Sequence, residues 1–205
     1  MQEYPAPNPL IGACIPATNP LEYCRVSTLV PPQKSESGDR PQTNDHKATS
    51  DPGGAAGHSD ELWMEEALRC AQRALDGGEV PVGAIVVCDG RIVGRGWNRN
   101  ISGCDPTAHA EVVALREAGV TLGNHRLEGC DLFVTIEPCA MCAGAMVHAR
   151  IQRLVYGADD PKAGAVHSVM QVLNHPQLNH KVEVRSGVLA GRSAEVLQTF
   201  FRGRR

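Results

Sequence analysis

The first regular pattern along the chain is helical and follows residue 59. Ser59, Asp60 and Glu61 form a candidate helix start, and the apolar residues after them recur largely at helical spacing until Gly77 and Gly78. The pattern predicts an amphipathic helix with one buried face. The apolar positions of that face are Leu62, Met64, Ala67, Leu68, Ala71 and Leu75.

Short apolar runs that alternate with helical patterns predict the strands. The runs 82–88 and 91–97 flank Asp89-Gly90, a pair typical of a tight hairpin turn. Further strands are predicted at 132–136, 151–156 and 182–184, and further helices from 105, from 137, over 166–173 and over 193–202. The order αββαβαβαβα predicts an α/β fold, a three-layer α/β/α sandwich with a mixed five-stranded sheet.

Composition changes near residue 59. Residues 1–59 are rich in Pro, Gly, Ser, Thr and Asn with little periodic apolar pattern, which predicts a disordered N-terminal extension. Residues 60–205 are long enough for one folded domain but not for two. No secretory signal or transmembrane run is visible, so we expect a cytoplasmic protein that does not enter a membrane.

Three residues in the middle of the chain have side chains that can bind zinc. His109 precedes Cys139 by thirty positions, and Cys142 lies three positions further, with Pro138 directly before the first Cys. Three protein ligands leave the fourth tetrahedral position of zinc open for water, as in catalytic sites. The alternatives are an ordinary helical His with buried thiols, or a redox CxxC pair. The combination of HxE upstream and Pro before CxxC favours the metal site.

Glu111, two positions after His109, is predicted to transfer protons rather than to bind the metal. Zinc lowers the pKa of a bound water from about 16 to about 7, and a nearby carboxylate can take up that proton and return it. Zinc deaminases of nucleobases carry this combination of ligands and carboxylate. The sequence therefore predicts hydrolytic deamination, in which a ring C–NH₂ becomes C=O and ammonia is released.

Six short segments carry a resemblance to a known protein family, namely 79–84, 96–99, 105–111, 137–146, 179–183 and 200–202. With them, residues 62–205 resemble the bacterial tRNA-specific adenosine deaminases, a family of the cytidine-deaminase-like superfamily. The resemblance implies a cytidine-deaminase-like fold and a homodimer with one zinc ion per subunit. It also implies conversion of the wobble adenosine, position 34 of tRNA, to inosine, with the tRNA anticodon arm as partner.

The resemblance also implies roles for individual residues. His109, Cys139 and Cys142 would bind zinc, and Glu111 would shuttle protons. On the substrate side, Asn98 would hydrogen-bond the flipped adenine and Val80 would line its pocket through a backbone contact. Asp160 would lie near the ribose 2′-OH, the group that distinguishes RNA from DNA. The alternatives are a turn-stabilising Asn98 and a solvated Asp160.

Charge by itself does not indicate RNA, because residues 60–205 hold 16 basic and 17 acidic side chains. Candidate RNA contacts are Arg99, next to Asn98, and the pair Phe201 and Arg202 near the C-terminus; a solvated helix end is the alternative for the latter. The chain departs from the family at Asp159, where a basic residue is expected.

Two other functions stay open at this point. One is a deaminase of free guanine, cytosine or a nucleotide, which would use the same zinc chemistry on a smaller substrate. The other is a zinc module that binds RNA or a protein without catalysis. Glu111 argues against the second, because a module that only binds has no need of a proton-transferring carboxylate.

Overall fold

The computed structural model describes residues 55–204, so the predicted extension lies outside the described residues as far as residue 54. Helices and strands follow the order αββαβαββα within that range. Their bounds are α1 Ala55–Asp76, β1 Gly83–Cys88, β2 Arg91–Trp97, α2 Ala110–Leu122, β3 Cys130–Ile136, α3 Ala140–Ala149, β4 Arg153–Ala158, β5 Glu183–Arg185 and α4 Ala190–Arg202.

The strands form one mixed sheet of five in the order β2-β1-β3-β4-β5. β1 is antiparallel to both β2 and β3, whereas β3, β4 and β5 run parallel. The β1–β2 hairpin turns at Asp89 and Gly90, which both have positive φ, as a tight hairpin turn requires. The predicted mixed five-stranded sheet and the hairpin are confirmed.

Both faces of the sheet are buried, which explains the continuous apolar runs of the central strands. Successive side chains of β1 alternate between the faces: Ala84 and Val86 pack with α2 and α3, and Ile85 and Val87 pack with α1. The carboxyl ends of β3 and β4 and the N-termini of α2 and α3 meet at one edge, where the candidate site lies.

The predicted helix over 166–173 is wrong. Residues 161–175 form turns instead. The physical reason is a side chain remote in sequence: the Glu137 carboxylate accepts hydrogen bonds from the backbone N–H groups of Val166, His167 and Ser168, at 3.0, 2.9 and 3.0 Å. The amides that follow are also not bonded four positions back, as a helix requires: Val169 N and Met170 N donate to Gly164 O, and Val172 N donates to Ala165 O.

Two predicted helix starts are also wrong. α1 begins at Ala55 rather than at a cap on Ser59, and α2 begins at Ala110 rather than near 105. Asp105 instead closes a turn of its own, in which Oδ1 accepts from the backbone N–H and the hydroxyl of Thr107, at 2.8 and 2.6 Å. The remaining element boundaries differ from the predicted ones by at most three residues.

A buried ion-pair network joins α1 to the sheet. Asp60 is 1% exposed, and its carboxylate accepts from two Arg153 nitrogens at 2.9 and 3.0 Å and from Arg185. Arg153 also donates to Asp131 at 2.7 Å. These contacts fix α1 against the amino ends of β3 and β4 and against the last residue of β5. None of the helices between residues 55 and 204 is long and apolar enough to cross a bilayer.

Candidate active site

The candidate active site is a cavity of about 450 Å³ that opens beside the N-termini of α2 and α3. Its walls come from the loops after α1, β2 and β4 and from one face of α4. The cavity brings together most of the site residues predicted from the sequence, namely Val80, Asn98, His109, Glu111, Cys139, Asp160 and Phe201.

Two of the candidate zinc ligands occupy equivalent places in the fold. His109 is the N-cap of α2 and Cys139 the N-cap of α3, and neither side chain caps its own helix. Both side chains instead converge on Cys142, one turn into α3 and fully buried. The uncapped helix ends direct positive partial charge towards the cluster, which favours the thiolate form of the cysteines.

The spacing of the three ligand atoms tests whether zinc fits. His109 Nδ1 lies 3.6 Å from Cys139 Sγ and 3.6 Å from Cys142 Sγ, and the two sulfurs are 3.7 Å apart. A tetrahedral zinc ion, with Zn–S of about 2.3 Å and Zn–N of about 2.1 Å, requires S···N edges of about 3.6 Å and an S···S edge of about 3.8 Å. The three atoms therefore have the spacing of one face of a zinc tetrahedron, and His109 and Cys139 also line the cavity.

A hydrogen bond between the two cysteines moves their pKa values in opposite directions. The bond with Cys142 lowers the pKa of Cys139 to about 3, whereas the bond with Cys139, together with burial, raises the pKa of Cys142. Because zinc binds thiolates, the affinity for zinc is expected to rise with pH.

Glu111 is buried beside this cluster but outside the ligand triangle. It is 3% exposed, lies in the first turn of α2 and contacts the thiol of Cys142. Burial raises the pKa of Glu111, because the charged carboxylate loses its hydration, while the nearby His109 opposes the rise. A carboxylate with a raised pKa, lining the cavity beside the candidate ligands, suits proton uptake and return.

Asn98 connects the cavity wall to α2. It is 7% exposed, and its Oδ1 accepts a hydrogen bond of 2.9 Å from the backbone N–H of Ala110. Because that N–H is one of the free donors at the start of α2, Asn98 stabilises the helix end that carries His109 and Glu111. The backbone donor also identifies the bonded atom of the amide as oxygen, which leaves Nδ2 as the atom able to donate to a ligand.

Comparisons with known proteins bear on this arrangement. The sequence profile of the cytidine and deoxycytidylate deaminase zinc-binding region matches residues 58–158, which contain the three ligands and Glu111. The tRNA-specific adenosine deaminase of Haemophilus influenzae is 50% identical over 147 residues, 71% of this chain and 85% of that protein. The chain belongs to the tRNA-specific adenosine deaminase family. The Agrobacterium fabrum member of the family is 49% identical over 143 residues, 70% of this chain and 94% of that protein.

This member of the adenosine deaminase family is also similar to solved structures. A structure from a study of A-to-I editing by tRNA:A34 deaminases at the wobble position of transfer RNA has 48% identity and a TM-score of 0.65, and the match covers 66% of this chain and 99% of that one. The guanine deaminase of Nitrosomonas europaea, at 22% identity and a TM-score of 0.58, shares the fold alone. The predicted cytidine-deaminase-like fold is confirmed, and zinc is the cofactor of this deaminase.

One side of the deaminase cavity is built by Asp160, Lys162 and Phe201. Asp160 uses Oδ1 to close its own turn, accepting from the backbone N–H groups of Lys162 and Ala163 at 2.9 and 3.2 Å. Phe201 lies on α4 and is 51% exposed at the cavity rim. Of these three, Lys162 was missed from the sequence, although a basic residue two positions after Asp160 was a usable signal.

Two predicted RNA contacts lie away from this deaminase cavity. The guanidinium of Arg99 lies over the Trp97 ring, 5.8 Å from its centroid, and not on the cavity wall. Arg202 lines an adjoining groove of about 420 Å³ that shares Asp160, Lys162 and Phe201 with the cavity.

The sequence did not predict Glu79 as a cavity residue. It is buried, and its carboxylate accepts a hydrogen bond of 2.7 Å from the backbone N–H of Ser102.

Proposed function

We propose that this protein hydrolyses the wobble adenosine, position 34 of a tRNA, to inosine and releases ammonia. The observation that carries the proposal is the placement of Glu111, a buried carboxylate beside a triangle of ligand atoms with the edges of a zinc tetrahedron. Both groups face a cavity large enough for a nucleoside. The relatives that are named for this activity are about half identical to the chain.

His109, Cys139 and Cys142 would hold the zinc ion. Bound zinc supplies Lewis acidity, which makes water at its open position acidic enough to lose a proton near neutral pH. The Glu111 carboxylate takes up the proton of the attacking water. It delivers that proton to N1 of the adenine as the hydroxide oxygen bonds to C6. It then takes the proton of the new C6 hydroxyl and passes it to the N6 amine, so that the C6–N6 bond breaks, C6=O forms and ammonia leaves. Proton transfer of this kind is worth about 10²–10⁴ in rate.

Asn98 and Val80 would position the adenine. The bond from Ala110 N–H to Oδ1 fixes the orientation of the Asn98 amide, so that Nδ2 can donate to a ring nitrogen of the purine. Val80 lines the same cavity and is partly buried against the core.

The anticodon arm would lie across the rim formed by Asp160, Lys162, Phe201 and Arg202. Asp160 Oδ2 accepts no hydrogen bond from the described residues and is an acceptor for a ribose 2′-OH. Phe201 offers an exposed ring for base stacking, and Lys162 and Arg202 offer charge to phosphates. Arg99 lies over the Trp97 ring and would contact RNA only outside the cavity.

The protein would act as a homodimer. An apolar groove of about 710 Å³ runs between α2 and α3, and at its edge Val120 is 85% exposed. Exposed apolar surface of this kind is typical of subunit interfaces. Val120→Glu should convert a dimer to a monomer in light-scattering measurements, and a wild-type protein that is monomeric at micromolar concentration would contradict the dimer.

A cytoplasmic location is proposed because the proposed substrate, tRNA, is used there.

Residues 60–205 would form the catalytic domain, and residues 1–59 would be dispensable for the chemistry. Because α1 begins at Ala55, a truncated protein should start there rather than at Ser59 to keep the whole helix. It should deaminate an anticodon stem-loop at the rate of the full chain. A truncated protein that folds and binds zinc but has lost activity would make the extension an RNA-binding element.

The deciding experiment incubates the zinc-loaded full chain with a tRNA mixture and sequences the products for A-to-inosine changes. The Glu111→Ala protein, with its zinc content measured, is the matched control. Inosine at position 34 with wild type alone supports the proposal. Ammonia released from free guanine or cytosine, with no inosine in tRNA, would instead identify a free-base deaminase, and RNA binding without either reaction would identify a non-catalytic module.

A further inference from the structure

Glu137 is a buried carboxylate with an unusually complete set of hydrogen bonds. It is 2% exposed, and its Oε1 accepts the three backbone N–H groups of residues 166–168. Its Oε2 accepts from the backbone N–H of Asp160 at 3.1 Å and from the Ser168 hydroxyl. With five donors converging on it, the carboxylate acts only as a hydrogen-bond acceptor.

This carboxylate joins two parts of the site. Glu137 is two positions before the ligand Cys139, and backbone hydrogen bonds hold the segment 158–165 against it, from Glu137 N to Ala158 O and from Ala165 N to Pro138 O, both 2.8 Å. Gly164 packs directly on the carboxylate, and a Cβ at that position would lie 2.3 Å from Oε2. The segment 158–168 consequently takes its position from the turn that carries Cys139.

Asp160 is held within that segment by its backbone and by one carboxylate oxygen. Its N–H donates to Glu137, its carbonyl accepts from Gly164 N at 2.9 Å, and Oδ1 closes the turn to Lys162 and Ala163. Only the first of these contacts ties Asp160 to anything outside its own segment. The orientation of the Asp160 carboxylate at the cavity therefore depends on Glu137.

We propose that Glu137 is a positioning residue that sets Asp160 and Lys162 on the sugar side of the cavity and thereby determines the preference for ribose over deoxyribose. The inference rests on the proposed function and deepens it, because it assigns sugar discrimination to a residue whose carboxylate is bonded to the loop rather than to the sugar. Glu137 acts through the loop, whereas Asp160 would make the contact itself.

The substitution Glu137→Gln changes the hydrogen bonding of the side chain but not its size. The side chains have the same size, but a Gln amide presents two N–H donors where Glu has only acceptors. Whichever way the amide is turned, it faces at least one backbone N–H with another donor, either Asp160 N or the amides of 166–168. The loop must then shift to relieve a buried, unsatisfied donor.

Glu79 provides the matched control on the opposite wall. It too is a buried carboxylate, and it accepts from the backbone N–H groups of Ile101 and Ser102 in the loop after β2. Glu79→Gln makes the same chemical change in a loop that does not contain Asp160. Ser168→Ala is a milder second variant, which removes one of the five hydrogen bonds of Glu137 and keeps its charge.

The test measures kcat and KM of the zinc-loaded full chain on matched RNA and DNA hairpins with one adenosine in the loop. Glu137→Gln should keep one zinc per chain and lower the RNA-to-DNA ratio of kcat/KM by about tenfold, the loss of one hydrogen bond to a substrate group, mainly through a higher KM for RNA. Ser168→Ala should lower the ratio by about twofold, because it removes one of several hydrogen bonds. Glu79→Gln should leave the ratio at the wild-type value. Hydrogen exchange should accelerate in residues 160–168 of Glu137→Gln.

The outcomes distinguish this inference from the proposed function. Wild type that deaminates neither hairpin nor tRNA would overturn both. Active wild type with an unchanged ratio in Glu137→Gln would overturn the inference and leave the function intact. An equal fall of the ratio in Glu79→Gln would also overturn it, because general loosening of the cavity would then explain the effect. If Glu137→Gln does not fold, an unchanged ratio in Ser168→Ala decides against the inference.

Discussion

Gly96 lies on β2 where that strand touches the start of α2, and its replacement by alanine should displace the residues that carry the chemistry. An added Cβ would lie 2.0 Å from the carbonyl oxygen of Ala110 and 2.5 Å from the backbone nitrogen of Ala114. Both are backbone atoms, which cannot move aside as a flexible side chain would. The helix and the strand must therefore separate.

The size of that separation follows from ordinary contact distances. A carbon and a carbonyl oxygen approach to about 3.3 Å, so the start of α2 must move by about 1 Å or more. Overpacking of this kind costs about 1–3 kcal/mol of stability. Ala110 lies between His109 and Glu111, so the shift carries a zinc ligand and the proton-transferring carboxylate with it. A misplacement of about 1 Å can cost about 10²-fold in rate.

The assay combines zinc content, thermal unfolding and kcat on an anticodon stem-loop, measured at a temperature where each variant is folded. Two alanine variants serve as controls. Gly94→Ala places a Cβ 2.3 Å from the carbonyl oxygen of Ala114, one turn further along α2, and should lower stability with a smaller loss of kcat. Gly191→Ala, in α4 with no atom within 4 Å of the added Cβ, should stabilise by up to about 1 kcal/mol.

Wild-type kcat and full zinc occupancy in Gly96→Ala would refute the reasoning, because the contact would then be relieved without moving α2. An equal loss of kcat in Gly94→Ala and Gly96→Ala would also contradict it. That result would attribute the loss to general destabilisation rather than to displacement of His109 and Glu111.

Four further predictions concern single groups. Glu111→Gln should keep zinc and lose at least about 10²-fold in kcat, and loss of zinc from a folded variant would make Glu111 a ligand. Cys139→Ser should lose zinc and much of its folded stability, which metal analysis and calorimetry check. Asp60→Asn should unfold more easily by about 3 kcal/mol in urea, because Arg153 keeps Asp131 but loses its buried partner. The lowered pKa of Glu137 contributes stability that is present above pH 4.5, the ordinary value, and is lost as pH falls towards about 2. The melting temperature of wild type should therefore fall more steeply over that range than that of Glu137→Gln, and parallel curves would contradict this.

The chemistry of the site could be predicted from the sequence because it depends on residue type more than on position in space. A His, two Cys and a Glu at HxE and PCxxC spacing supply a ligand set and a proton carrier, and each half of the set lies within one helix start. The β1–β2 hairpin is similarly local, since Asp89 and Gly90 specify the turn between two apolar runs. The structure confirms the hairpin and brings the three candidate ligand atoms together, while their roles and that of Glu111 stay predictions.

The tertiary structure decided those features that depend on contacts between residues distant in the sequence. Periodicity predicted a helix over 166–173, but the Glu137 carboxylate, about thirty positions earlier, accepts hydrogen bonds from the amides of residues 166–168, and the segment forms turns. Asn98 takes its orientation from Ala110, twelve positions later, and Asp60 pairs with an arginine 93 positions away. Hydrogen bonds between distant residues override local preference because a buried charge without partners costs far more free energy than an unformed helical turn.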